Sequence, residues 1–236
     1  GTALILGQQA QAQQDPMYSQ YQFNTVAINP AYAGSTDQLT FIALHRSQWT
    51  GFEGAPTTQT FGAHSPLGEK HPNAAVGLSI INDKIGPTKE TGFFVDYSYK
   101  LKIDDKTDFR FGLKAGGNLF SANLTDIQTN EHSDVAFQSN ISSKFLPNFG
   151  FGLYWDSEKY YVGASLPKLK RNELGTELSS TSSSAENIFN EKRHFFLIAG
   201  YITKLNEEVE FKPSMVIKKV AHAPVSVDLS ANFLLK

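Results

Sequence analysis

The chain contains no cysteine among its 236 residues, which removes disulfide frameworks and thiolate metal sites from consideration. It also lacks any apolar run approaching the ~20 residues that a membrane-spanning helix needs, and its mean hydropathy is −0.29. That excludes a helical membrane protein. It does not exclude a barrel, whose strands alternate polar and apolar residues and so average to an ordinary hydropathy. Charge of one sign is scarce as well: 21 Lys and Arg against 23 Asp and Glu leave −2, which gives no electrostatic reason to expect nucleic acid as a partner. What is plentiful is 18 Gly, 18 Phe and 9 Tyr, a composition that leans toward β structure rich in turns and aromatics.

The first residues read as the end of a secretory signal. Thr2 to Gly7 resemble the tail of an apolar core, and Ala10-Gln11-Ala12 has the small-x-small form of a cleavage site. The expected division is a signal remnant over 1–12, an N-terminal periplasmic or plug segment over 13–36 and a barrel over 37–236.

Beyond residue 36 the chain breaks into strand-length segments with a period of two. In 91–103, Phe93, Val95, Tyr97, Tyr99, Leu101 and Ile103 fall on one face, against Asp96, Ser98, Lys100 and Lys102. Phe109, Phe111, Leu113 and Ala115 oppose Arg110, Gly112, Lys114 and Asn118. Val209, Phe211, Met215 and Ile217 oppose Glu210, Lys212, Ser214 and Lys218, and Val227, Leu229, Ala231 and Phe233 oppose Asp228, Ser230 and Asn232. A helix would scatter such alternating residues around its axis. Segments near 38–48, 57–67, 73–83, 145–155, 159–166 and 193–205 are apolar enough but mix their faces. About ten strands result, each close to the ~9–11 residues of a tilted spanning strand.

The connections separate a soluble sandwich from a membrane barrel. With the N-terminus taken as periplasmic, long connections are expected at 49–56, 84–90, 121–144 and 168–191. Short ones are expected at 69–72, 104–107, 156–158 and 206–207. Outer-membrane barrels alternate in this way, with long extracellular loops and short periplasmic turns, whereas a Greek-key sandwich has no reason to. The order breaks at 221–224, short where a long loop is due. The loops 121–144 and 173–187, the latter with the run Ser179 to Ser184, are strongly polar. Aromatics near strand ends, among them Tyr97, Tyr99, Phe109, Tyr154, Trp155, Tyr160 and Tyr161, suit interfacial girdles, though a soluble core would use the same residue types.

Chemistry-bearing motifs are absent. The six histidines (His45, His64, His71, His132, His194, His222) form no HExxH pattern or close pair. Gly163-Ala164-Ser165-Leu166-Pro167 lacks the second glycine of a nucleophile elbow, and His64-Ser65 is the sole local hint of a lumen-sited hydrolase. Gly112 to Gly117 opens no helix and is no phosphate loop. Asp104 to Asp108 lacks the central Gly and closing Glu of a calcium loop and reads as a solvated hairpin turn. No enzyme, cofactor or metal is expected. More informative is the segment Asp15-Pro16-Met17-Tyr18-Ser19-Gln20-Tyr21-Gln22-Phe23, leading into Asn29-Pro30-Ala31-Tyr32-Ala33-Gly34. It has turn-forming chemistry and too many aromatics for a free linker, so it is expected to dock on or in the barrel mouth.

These residues carry a resemblance. Asn29 to Gly34, Gln48-Trp49 with Gly51-Phe52-Glu53-Gly54-Ala55-Pro56, and Gly77-Leu78-Ser79-Ile80-Ile81-Asn82-Asp83-Lys84-Ile85-Gly86-Pro87 belong to it. So do Tyr97-Ser98-Tyr99-Lys100, Pro147-Asn148-Phe149-Gly150 and Lys212-Pro213-Ser214. Together they resemble the PorP/SprF family of outer-membrane proteins of the type IX secretion and gliding-motility machinery. The resemblance implies an all-β fold, a transmembrane antiparallel β-barrel. It implies as partners a secreted, adhesin-like surface protein with a C-terminal secretion domain, type IX machinery subunits and outer-membrane lipid. Family chains run on for further strands, so this chain is expected to be a truncated barrel, incomplete at its C-terminus.

The leading expectation is an interaction protein that helps export a surface partner and anchors it. Trp49 and Phe52 are the candidate loop anchors, since buried aromatics carry much interface energy. They could equally serve as lipid-facing girdle residues. Asn29, Pro30, Tyr32, Asp83 and Lys84 complete the candidate partner-binding set. The alternative is a porin-like transporter of small solutes, suggested by polar faces bearing Asp96, Lys100, Arg110 and Lys114.

Overall fold

A computed structural model describes residues 23–123, 140–175, 187–190, 192–221 and 223–235. Expectations placed on 1–22, on most of loop 121–144, on the serine run and on His132 and His222 lie outside the described residues.

Nearly all of the described chain is one antiparallel sheet. Its strands are β1 (Thr40–Ser47), β2 (Thr57–Pro66), β3 (Ala74–Ile85), β4 (Thr88–Lys102), β5 (Thr107–Ala122), β6 (Ile141–Ser157) and β7 (Tyr160–Leu166), each paired with the next. A separate two-stranded hairpin, β8 (Glu173–Gly175) with β9 (Asn187–Asn190), follows. The large sheet resumes with β10 (His194–Tyr201), β11 (Thr203–Lys204), β12 (Val209–Val220) and β13 (Ser226–Leu235). β10 and β11 are one line of chain interrupted at Ile202, both pairing with β12. The wall therefore contains about ten hairpin-connected strands, as the sequence pattern predicts, with β1 and β13 as its edges. Before β1 lie a single helical turn, α1 (Thr25–Ile28), and a 3-10 turn, η1 (Pro30–Tyr32).

The two faces of the wall are inverted relative to a soluble protein. On β4, Phe93, Val95 and Tyr97 are exposed while Asp96 and Ser98, on the alternate positions, are buried. On β5, Phe111 and Leu113 are exposed while Arg110 and Lys114 are buried. On β6, Phe149, Phe151, Leu153 and Trp155 are exposed, and Asn148 is fully buried. Val95 is 59% exposed and Asp96 0%, so burial here does not follow hydrophobicity. An apolar face of this extent marks an interaction surface, and the outer wall of a membrane barrel set against lipid fits it. Along β4 it runs from Phe93 to Leu101, which spans ~20 Å once the ~35–45° tilt of barrel strands is applied. Toward one end it finishes in contacting rings: Tyr99 stacks on Phe111 at 5.8 Å, and Phe109 meets Trp155 at 5.9 Å. These rings sit where an aromatic girdle is expected.

The short connections are as expected. In the β4–β5 turn, Asp104 Oδ1 accepts from the Lys106 amide at 2.8 Å, and a hydrogen bond from Lys102 holds the Asp105 carboxyl below its ordinary range. It is a solvated hairpin turn. At 205–208, Asn206 Oδ1 accepts from the Glu208 and Val209 amides, an Asx turn. One long connection is corrected. The stretch 84–90 is no loop: β3 runs to Ile85 and β4 starts at Thr88, with Lys84 paired to Lys89 and Asp83 to Glu90. Gly86, at φ 54°, provides the positive φ that a two-residue hairpin needs and Pro87 completes the turn. The β-prone residues around that turn carry the ladder past the apolar band.

The start of the 168–191 connection also departs from a surface loop. Leu169 N donates to Phe149 O, Asn148 is hydrogen-bonded to both the amide and the carbonyl of Lys170, and Lys168 pairs with Glu90 at 3.6 Å. Residues 167–172 thus form a strap turned inward over β6. Gly150 admits it, because a Cβ there would stand 2.4 Å from Pro167 O.

Candidate functional site

The inner face holds the N-terminal segment. Residues 24–34 carry backbone groups away from water, and such groups must be paired. The wall pairs them: Lys114 Nζ donates to Val26 O at 3.3 Å, Ser165 Oγ to Ile28 O at 2.7 Å, Ser98 Oγ to Ala33 O at 2.6 Å and Arg110 Nη1 to Gly34 O at 3.0 Å. In return the Gly34 amide donates to His64 Nδ1, and Asn29 Nδ2 donates to Leu153 O at 3.0 Å. Asn29 also caps its own turn, its Oδ1 accepting from Ala31 N. Five strands, β2 and β4 to β7, therefore recognise this segment chiefly through its backbone.

Glycines give that backbone its room. A Cβ on Gly112 would lie 2.2 Å from Ala31 N, and one on Gly152 2.0 Å from Asn29 Oδ1. Gly62, Gly77 and Gly163, on β2, β3 and β7, clear space for Asn24, Val26 and Asn29 in the same way. The apolar part of the contact is small: Ile28 and Ala31 meet Tyr154, Phe196, Ile198 and Val216, with Tyr32 packed alongside. Tyr32 stands edge-on to both His64 and Tyr154.

Charge beneath the plug is matched locally. Lys114 and Asp96 lie 2.8 Å apart with side chains 1% and 0% exposed, and the ammonium also faces the Phe94 ring at 5.3 Å. Arg110 reaches Asp156 at 3.1 Å and Asp108 at 3.2 Å, and Lys100 reaches Asp37 at 3.3 Å. The polar side chains that suggested a solute path are thus engaged with one another and with the plug.

The candidate binding residues separate into an inner and an outer group. Asn29 and Pro30 are buried in the plug contact and Tyr32 is half-buried there. Asp83 is buried on the inner face, accepting from Thr58 Oγ1. Trp49 and Phe52 stand 73% and 78% exposed on the β1–β2 loop. That loop is braced by backbone hydrogen bonds from Gln48 to Pro56, from Phe52 to Trp49, from Ala55 to Phe52 and from Gly86 to Gly54. Trp49 has φ 50°, a left-handed backbone that a bulky residue rarely adopts. Lys84 is exposed on the outer face. His64 Nδ1 accepts from the Gly34 amide, and Ser65, its strand neighbour on the opposite face, donates to Pro66 O, so these two side chains do not pair with each other. Among the described residues no group of three or more His, Asp and Glu could hold a metal ion.

Sequence reasoning missed the receptor for the plug: Gly112, Gly152, Gly163, Ser98 and Ser165. The available signal was small and polar residues recurring on the inner positions of adjacent strands, which only register turns into a surface. No curated protein matches the chain. The family model described as type IX secretion system membrane protein PorP/SprF matches residues 10–236. With an apolar outer wall, a polar inner face and this match over nearly its whole length, the chain belongs to the PorP/SprF family of type IX secretion system membrane proteins.

Proposed function

We propose that the chain is an outer-membrane barrel that supports export of a type IX secreted, adhesin-like partner and holds it at the cell surface. The long connections face outward and the short turns face the periplasm. The observation that carries this reading is the braced loop with Trp49 and Phe52. Two large aromatic side chains presented to solvent on a fixed backbone lose little conformational freedom on binding, which favours an interface anchor. Periplasmic turns would meet machinery subunits, and the partner would carry its own C-terminal secretion domain.

The test is Trp49→Ala in the full-length protein. Partner retention is expected to fall about tenfold or more, on the ~2 kcal/mol scale of an aromatic anchor, with membrane insertion unchanged. Equal loss of retention and insertion would show Trp49 to be a structural or girdle residue and overturn the proposal. The porin reading has the polar inner face in its favour. The plug and the strap on that face argue that single-channel conductance will be small.

A further inference from the structure

On the outer face, above the apolar band at the long-loop end, residues from four strands align in register. Thr57 pairs with Lys84, Lys84 with Lys89, and Lys89 with Ser121. This places two ammonium groups directly opposite each other across β3 and β4, flanked on both sides by hydroxyls. Like charges facing across a ladder are destabilising, and among the described residues no carboxylate pairs with either lysine. Glu53, on the loop beyond the strand ends, lines the same concavity and pairs with neither. The remaining lining is neutral and polar, including Gln59, Asn82 and Thr88.

Position on the wall selects the ligand. The row two steps below is Phe61, Ile80 and Phe93, and the row between is Gln59, Asn82, Thr91 and Leu119. Four residues along a tilted strand raise the lysines ~10 Å above the Ile80–Phe93 row, which is headgroup height. A free anion has no reason to sit where the next surface below is lipid-facing. A lipid whose acyl chains lie on Phe61, Ile80 and Phe93 carries its phosphate to that row.

We propose that Lys84 and Lys89, with Thr57 and Ser121, form a binding site for the phosphate of an anionic lipid in the leaflet on the long-loop side. The proposal rests on the orientation given above only in naming that leaflet as the outer one. The lipid neutralises the facing lysines and occupies the outer wall beside the Trp49–Phe52 loop, which is tied to the same hairpin through Gly54 and Gly86.

Native mass spectrometry of the detergent-solubilised full-length protein tests this, with bisphosphorylated lipid A as the probe. The same glycolipid without phosphates, and inorganic phosphate alone, are the comparisons. Phosphorylated lipid is expected to be retained and the dephosphorylated form lost. The double variant Lys84→Gln/Lys89→Gln should bind it about tenfold more weakly or worse, and Lys84→Arg/Lys89→Arg should retain it. Gel mobility before and after heating confirms that each variant is folded, as both lysines are exposed. Undiminished binding by the folded Gln variant, or equal binding of the dephosphorylated lipid, overturns the proposal. So does binding of inorganic phosphate as tight as that of the lipid.

Discussion

Lys114 and Asp96 carry opposite charges on adjacent strands, in a place where neither side chain meets solvent. Burial of such a pair costs desolvation that its attraction repays only with good geometry and further hydrogen bonds. The bond from Lys114 to Val26 O and that from Ser79 Oγ to the Asp96 carboxylate supply part of this. Removing one partner leaves a buried, uncompensated charge. Lys114→Met is therefore expected to destabilise the folded protein by about 3–5 kcal/mol. The double variant Lys114→Met/Asp96→Leu should recover much of that loss. Urea unfolding in detergent, read as a double-mutant cycle, checks this; a double variant as unstable as the sum of the singles would show that the pair acts through separate contacts. The pair was visible in the sequence as two residues on the polar sides of neighbouring strands. Their apposition was not, since Asp96 meets Lys114 only through the β4–β5 register.

At the scale of elements, the decisive fit is between η1 and the strands beneath it. The Asn29-Pro30 pair and Gly34 mark a turn in sequence, and the aromatics nearby argue for docking. Tyr32 does dock, on His64 and Tyr154, while Phe23 is half exposed. What the segment docks onto was hidden, because a glycine in a strand reads first as a weak point or bulge. At Gly112 the reason is the approach of the Pro30–Ala31 peptide. Gly112→Val should lift η1 from the wall, destabilising the protein by about 1–3 kcal/mol as overpacking does, and should expose the 24–34 segment to protease in an otherwise folded barrel. Protection equal to that of the unsubstituted protein would mean that the plug tolerates the side chain and does not depend on this contact. The same reasoning explains the strap at 167–172, most of which falls in the long connection expected at 168–191. Its inward turn depends on Asn148 and Gly150 of β6, residues twenty positions away that no local pattern connects to it.

For the whole molecule, the inversion of faces is the property on which the membrane assignment stands. An exposed valine on a soluble protein tolerates a charge within about 0.5 kcal/mol. A lipid-facing one does not: Val95→Arg, near the middle of the apolar band, should cost about 2–4 kcal/mol in a bilayer. Folding equilibria in lipid vesicles measure this, and a cost below 0.5 kcal/mol would contradict the lipid-facing assignment of β4.

Alternation in four segments, with strand-length apolar stretches in six more, determined that this chain forms about ten strands, because side chains in a strand change sides at every residue. The absence of long apolar runs, also read directly from the sequence, limited the membrane options to a barrel. Tertiary structure decided which face looks inward and what fills it. A polar strand face is compatible with water, a channel or a packed segment, and the choice depends on atoms brought together from β2 to β7 by register. It decided too that 84–90 is a tight hairpin, setting Lys84 opposite Lys89. Pairings of this kind are between residues distant along the chain, and local sequence carries periodicity but not partner.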